Sequence, residues 1–256
     1  MITLTDTHSH LYANDFSNDI NEVIERCIVN NISRIFLPNI DVESIPALKE
    51  LTLKRPDLFF PMMGLHPCSV NKQTLDHQLK TIKEELFNGK YYAVGETGLD
   101  LYWDKESLPE QIVAFKEQIK WSLELDLPIV IHARESTSEI LDVLKNYDSK
   151  LKGVFHCFSG TEKQAYEVIE RGMYIGLGGV LTFKNSNLKD FVKDMDLKYL
   201  LLETDSPYLA PVPFRGKRHE SSYILNIAQY LADLKGIQLE EVAEVTTQNS
   251  IDLFKV

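Results

Sequence analysis

Eight short apolar runs punctuate the chain, at residues 2–5, 34–40, 59–64, 91–95, 128–131, 153–155, 173–176 and 199–202. Most are nearly continuous in apolar residues rather than alternating, which is how strands buried on both faces of a parallel sheet read. Stretches of helical period lie between them. Ile112, Phe115, Ile119 and Leu123 step by three and four and fall on one face. Pro109 suits a first helical turn, and Pro128 stops the stretch and opens the next run. Leu141 with Leu144, and Ala165 with Val168 and Ile169, mark similar stripes, while 22–31, 43–54, 75–87, 221–235 and 240–254 also read as helices. Eight strands alternating with helices imply βαβ units. Their count, and a length of 256 residues, favour a closed α/β architecture, the (β/α)8 TIM barrel, over a doubly wound open sheet. That length suits one barrel, so 1–256 is expected to be a single domain.

Polar residues at the ends of the runs decide more firmly between the two architectures. His8 and His10 follow the first run, His66 the third, Glu96 the fourth, His132 the fifth, His156 the sixth and Asp205 the eighth. A barrel gathers the C-terminal ends of its strands into one mouth. An open sheet would spread these groups along an edge, too far apart to share ions. Taken singly, each has an ordinary structural reading: a capping pair for His8 and His10, a salt-bridged loop residue for Glu96, a core histidine for His132, a turn residue for Asp205. Side chains two apart in a strand share a side, which suits His8 and His10 to one ion and places Arg134 beside His132, where its planar fork could clamp a phosphate. Glu96 lies between Gly95 and Gly98, and its two oxygens could bridge two ions. Cys157 is expected to face away from His156 as a small buried apolar residue. Glu203 shares the side of Asp205, as a support or a deeper barrel layer. Imidazoles mixed with carboxylates suit Mg, Mn, Zn or Fe.

Composition narrows the setting. With 44% hydrophobic and 25% charged residues the chain is ordinary for a globular protein. Cys27, Cys68 and Cys157 are widely spaced and odd in number, so they form no disulfide framework and fit a reducing compartment. No run reaches the ~18 apolar residues of a membrane helix. Nor does a basic, apolar leader open the sequence. A cytoplasmic protein with no membrane partner is expected. The net charge of −11 argues against an extensive grip on duplex DNA along its backbone. A nucleic-acid substrate would be held locally, by metal ions and a few basic residues.

Six ordered strings carry a resemblance: Asp6-Thr7-His8-Ser9-His10-Leu11, Gly64-Leu65-His66-Pro67, Gly95-Glu96-Thr97-Gly98-Leu99-Asp100, Ile131-His132-Ala133-Arg134, His156-Cys157-Phe158-Ser159-Gly160 and Glu203-Thr204-Asp205-Ser206-Pro207. In their order and over nearly the whole chain they resemble the TatD family of metal-dependent deoxyribonucleases. The resemblance implies metal-dependent cleavage of DNA, with 3′-to-5′ exonuclease character in some members. It implies that His8, His10 and Asp205 hold one divalent ion, that His132 and His156 hold a second, and that Glu96 bridges. His66 and Arg134 would lie in the substrate site, with Arg215 and Lys217 contributing from the loop after the eighth strand. The family commonly reads Arg-Gly-Lys-Arg-Asn-Glu-Pro there. This chain departs at His219 and Ser221, which touches substrate placement by the loop rather than the metal site.

The expected protein is therefore a monomer that cleaves DNA, as single strands or at ends, with two ions clamping the phosphodiester and Asp205 and Glu96 as the catalytic carboxylates. Asp205 would orient the attacking water and accept its proton. Tyr12, Phe16, Tyr102, Trp103, Phe183 and Phe214 lie near strand ends, where a few could stack on bases while most pack loops. An amidohydrolase-type enzyme acting on a cyclic amide, lactone or ester, an ester of tRNA included, competes within the hydrolases. Many of those bridge their metals with a modified lysine at the end of strand four, where Glu96 stands here. A non-catalytic binding barrel predicts lost ligands, and all six are present. Seven histidines scattered at random would seldom fall at four strand ends beside a glutamate and an aspartate.

Overall fold

The computed structural model describes residues 2–147 and 151–256. It contains eight parallel strands: β1 (Leu4–Asp6), β2 (Ile32–Pro38), β3 (Phe59–Met62), β4 (Val94–Asp100), β5 (Ile129–Arg134), β6 (Gly153–Phe155), β7 (Tyr174–Leu177) and β8 (Leu200–Leu202). Helices alternate with them: α1 (Ile20–Val29), α2 (Ile45–Lys54), α3 (Leu75–Asn88), α4 (Leu108–Leu125), α5 (Thr137–Leu144), α6 (Glu162–Glu170) and α7 (Leu188–Val192), with α8 (Ile224–Lys235) and α9 (Leu239–Phe254) closing the chain. The expected (β/α)8 barrel is the fold. Seven of the apolar runs predict their strands to within three residues. The fourth, read at 91–95, runs Val94–Asp100 because its glycines and polar residues hide the second half, and Glu96 lies inside that strand rather than after it. The α7 helix is absent from the sequence expectation because five residues span too little more than one turn to show a period.

Continuous pairing runs β1-β2-β3 and β4-β5-β6-β7-β8. Two narrower seams join these sheets. Between β3 and β4, Met63 bridges Val94, with Gly95 N–H donating to Met63 O at 3.0 Å. Between β8 and β1, Ser9 bridges Ser206, and Asp205 N–H donates to His8 O at 2.9 Å. The Asp6 carboxylate fastens the second seam by accepting from Thr204 N–H at 2.9 Å and Thr204 Oγ1 at 2.7 Å.

The barrel interior is filled below the mouth. Phe36, Met62, Val130, Val154 and Leu201 are buried together with Leu253 and Phe254 from the end of α9, and the rings of Phe36 and Phe254 stack at 4.1 Å. Each such side chain contributes roughly 1.5–3 kcal/mol by leaving water. A larger apolar shell lies between strands and helices. Polar buried residues concentrate at the opposite end, after the strands. No helix among the described residues is long and apolar enough to cross a membrane.

Candidate metal centre

The strand ends deliver His8, His10, Glu96, His132, His156 and Asp205 to one place. Glu96 is at its middle. A register irregularity between Val94 and Thr97 re-aims its side chain inward, as bulges beside functional sites do. Glu96 Oε2 lies 3.0 Å from His8 Nε2 and 3.5 Å from His10 Nε2. Its other oxygen, Oε1, lies 2.9 Å from His132 Nδ1 and 2.9 Å from His156 Nε2. Asp205 Oδ1 completes the first pair, 3.6 Å from His10 Nε2 and 3.9 Å from His8 Nε2. Gly98 makes the approach of β4 to β5 possible: its φ is +143°, and a Cβ there would sit 2.1 Å from His132 O.

What lies behind each imidazole sets which nitrogen faces the cluster. Tyr12 Oη donates its proton to Pro38 O at 2.6 Å, so it accepts from His10 Nδ1–H at 3.1 Å. His10 Nε2 is then a lone pair when the ring is neutral. Asp100 Oδ2 backs His132 Nε2 at 2.9 Å, and Glu203 Oε1 stands 3.2 Å from His156 Nδ1. A histidine whose far nitrogen is held by an oxygen is the usual arrangement around a metal ion. His8 and His156 differ: neither Nδ1 makes a hydrogen bond, the Glu203 carboxylate meeting His156 Nδ1 only as a close charge, and the two rings stack at 3.7 Å. His66 is opposite in sense. Its Nδ1 accepts from Cys68 N–H at 3.1 Å, so neutral His66 carries its proton on Nε2, 3.5 Å from Glu96 Oε1.

Three overlapping triads have donor atoms within 4.8 Å of one another: His8-His156-Asp205, His8-His10-Glu96 and His66-Glu96-His132. The electrostatics ask for positive charge. Burial opposes ionisation of Glu96, yet the histidines around it, His156 foremost, hold its carboxyl well below the usual range. Burial likewise opposes charge on His10, but Asp205 and Glu96 raise its pKa to about 9. Burial is outweighed at His156 by Glu96 and Glu203, and at His132 by Asp100 and Glu96, and both are raised. Buried lone pairs converging on two carboxylates fit divalent ions, which replace those protons.

The remaining expected residues divide. His66 and Arg134 line the cavity of about 690 Å³ above the cluster, with Ile40, Cys68, Asp100 and Trp103. Arg215 and Lys217 sit on the exposed loop before α8, outside that lining, and the Arg215 guanidinium packs 3.4 Å from the Phe183 ring centroid. The neighbouring His219 is buried and takes its place by bonding Tyr208 O at 2.8 Å. Phe16, considered for stacking, is 1% exposed and packs under Arg218.

One expectation is corrected. β6 ends at Phe155, and Cys157 has a φ of +43°, so strand alternation no longer applies there. Cys157 is half-buried and lines a smaller cavity of about 210 Å³ beside His132, His156 and Asp205. Asp205 shares the left-handed backbone, at φ +59°. Such conformations cost roughly 1–3 kcal/mol and gather at functional sites. Asp100 and Gln118 had no role from sequence. Asp100 shares strand parity with Glu96, a signal that could have found it. Gln118 bonds Leu65 N–H at 2.8 Å and Thr97 Oγ1 at 2.6 Å, which fixes the strand end carrying His66; nothing in the helical stripe reveals that.

The sequence pattern of the family described as TatD related DNase matches residues 5–255. The uncharacterized metal-dependent hydrolase YabD of Bacillus subtilis (strain 168) is 38% identical over 255 residues, covering 99% of each chain. The uncharacterized metal-dependent hydrolase YcfH of Escherichia coli (strain K12) is 32% identical, covering 99% of this chain and 96% of that one. The crystal structure of YjjV, a TatD homolog from Escherichia coli K12, matches with a TM-score of 0.92 at 29% identity, over 99% of this chain and 98% of the other.

Proposed function

Since the chain belongs to the TatD-related DNase family of metal-dependent hydrolases, we propose that it hydrolyses phosphodiester bonds of DNA, trimming single strands from the 3′ end with two divalent ions per chain. His8, His10 and Asp205 would hold one ion, His132 and His156 the other, and Glu96 would join them. The observation that carries this reading is the division of labour on Glu96, whose two oxygens each face a separate histidine pair. A single structural ion has no need of a second histidine pair.

When bound, the ions supply Lewis acidity and positive charge against the phosphodiester. The chain supplies the rest. Asp205 is ionised, since the neighbouring imidazoles, His10 foremost, hold its carboxyl below the usual range against burial. It lines both cavities, so it can orient a water and take its proton. Arg134 also lines both and neutralises charge growing on the phosphoryl oxygens. His66 presents Nε2–H to a substrate oxygen, and burial lowers its pKa, keeping it a neutral donor. Arg215 and Lys217 meet the strand farther from the cut. The 1–256 chain acts as one domain and as a monomer, and its three free cysteines suit the reducing cytoplasm.

The test is cleavage of an end-labelled single-stranded oligodeoxynucleotide with Mg or Mn, in native protein, in Glu96→Ala and with chelator. A ladder shortening from the 3′ end, abolished in both controls, is expected. Absence of cleavage by protein shown to hold its metal overturns the DNA assignment and redirects the search to esters, lactones and cyclic amides.

A further inference from the structure

The loop after β4 leaves two large rings in water beside the metal centre. Tyr102 is 51% exposed and Trp103 68%, whereas Trp121 is 3% exposed. The two exposed rings meet edge to face, with centroids 4.9 Å apart. The Arg134 guanidinium lies 4.2 Å over Tyr102 and 5.4 Å from the Trp103 centroid. Rings this open contribute little to packing the loop.

The loop is nevertheless held firmly. Asp100 Oδ1 accepts from the backbone N–H of Tyr102 at 2.9 Å and of Trp103 at 2.8 Å. Gln111 Nε2 donates to Asp100 O at 3.2 Å and to Asp104 O at 3.0 Å, tying the loop to α4. The other oxygen of Asp100 backs His132. One carboxylate thus fixes the aromatic pair in the frame of the metal centre. Across the barrel, four strands away, the loop after β8 contributes Tyr208 and Leu209, exposed by 57% and 40%. Trp103, Tyr208 and Leu209 line the same cavity as the cluster.

We propose that Trp103, steadied by Tyr102, is a stacking subsite for the nucleobase next to the scissile phosphate, with Tyr208 and Leu209 as the opposite wall and Arg134 on the phosphate between ring and metal centre. The proposal rests on the DNA reading above and names what holds the strand. A nucleotide carries its planar base and its phosphate a few bonds apart, matching a ring and a guanidinium already in contact. A chain of net charge −11 has little long-range attraction for a polyanion, so stacking supplies binding that charge does not. Stacking is tolerant of sequence because every base has a π face.

The experiment compares an intact thymidine oligonucleotide with an equally charged chain bearing one abasic residue, on metal-loaded native, Trp103→Ala and Trp103→Phe proteins. Trp103 is the exposed tryptophan of two, so binding of the intact chain should quench fluorescence far more than the abasic chain does. Trp103→Ala should raise KM for the intact chain roughly 10-fold, erase the discrimination between the two chains and keep native metal content. Trp103→Phe should restore most of the discrimination. Cleavage of both chains by Trp103→Ala with native KM and native discrimination overturns the subsite and leaves the DNA reading standing. No cleavage of either chain by the native, metal-loaded protein overturns both.

Discussion

Tyr12 decides the tautomer of His10. Its hydroxyl gives its one proton to the Pro38 carbonyl and can only accept from His10 Nδ1, 3.1 Å away. Once the ring is neutral, the Nε2 lone pair of His10 points at Glu96 and Asp205. Replacing Tyr12 with Phe removes the acceptor and leaves the ring shape. Metal affinity should fall about 10- to 100-fold with little loss of fold. Competition with a chromogenic chelator measures this, and native affinity in Tyr12→Phe would remove the hydroxyl from the metal-binding account.

His10 is raised from 6.5 to about 9 in the metal-free protein, so it carries a proton at pH 7 that a coordinated ring cannot keep. Ion binding should therefore release protons, and apparent affinity should climb as pH rises from 6.5 towards 9. The stability of the metal-free protein runs the other way. A histidine whose folded pKa exceeds its unfolded one stabilises fully below 6.5, and that contribution is lost as pH rises through about 9. Titration calorimetry in buffers of different ionisation enthalpy reads the proton count. A count of zero at pH 7 contradicts the protonation described here.

Asp100 performs two tasks that substitution can separate. Asp100→Asn keeps an acceptor for the Tyr102 and Trp103 amides but sets an amide N–H₂ against His132 Nε2. The imidazole then turns its proton towards Glu96, and metal affinity should drop about 10- to 100-fold while Trp103 emission stays native. Asp100→Ala should lose both. Equal metal affinity in Asp100→Asn and native protein would rule out this orienting role.

Away from the centre, Glu220 receives a two-pronged hydrogen bond from Arg26, 2.7 Å on each arm, with the carboxylate side chain 4% exposed. Glu220→Gln should cost about 2 kcal/mol, or roughly 4–8 °C in Tm. Asp19→Ala breaks a similar pair with Arg218 in a more exposed setting and should cost below ~1 kcal/mol. Thermal melts that rank the two in reverse would contradict this ordering.

The barrel and its six clustered side chains were legible because buried parallel strands leave continuous apolar runs, and because a barrel gives each run's end the same destination. His8, His10, Glu96, His132, His156 and Asp205 needed only their positions after runs. Their supports were harder to read. Glu203 is legible by its parity with Asp205, but Asp100 shares parity with Glu96 inside a strand whose polar half leaves no apolar run, and Tyr12 acts through a backbone carbonyl 26 residues away, which sequence spacing does not encode. Cys157 departs from its expected orientation because its left-handed backbone breaks the alternation of a strand. The short α7 escaped for want of a period.

The two seams of the barrel give metal binding a second consequence. His8 and His10 arrive from the sheet β1-β2-β3, while Glu96, His132, His156 and Asp205 arrive from β4-β5-β6-β7-β8. A metal held across this divide would also rivet two half-shells that otherwise meet through few backbone bonds. Chelation should therefore speed amide exchange first at Met63, Gly95, Asp205 and His10, before the middle of either sheet opens. Metal supply would then set how long the folded chain survives proteolysis as well as how fast it turns over substrate.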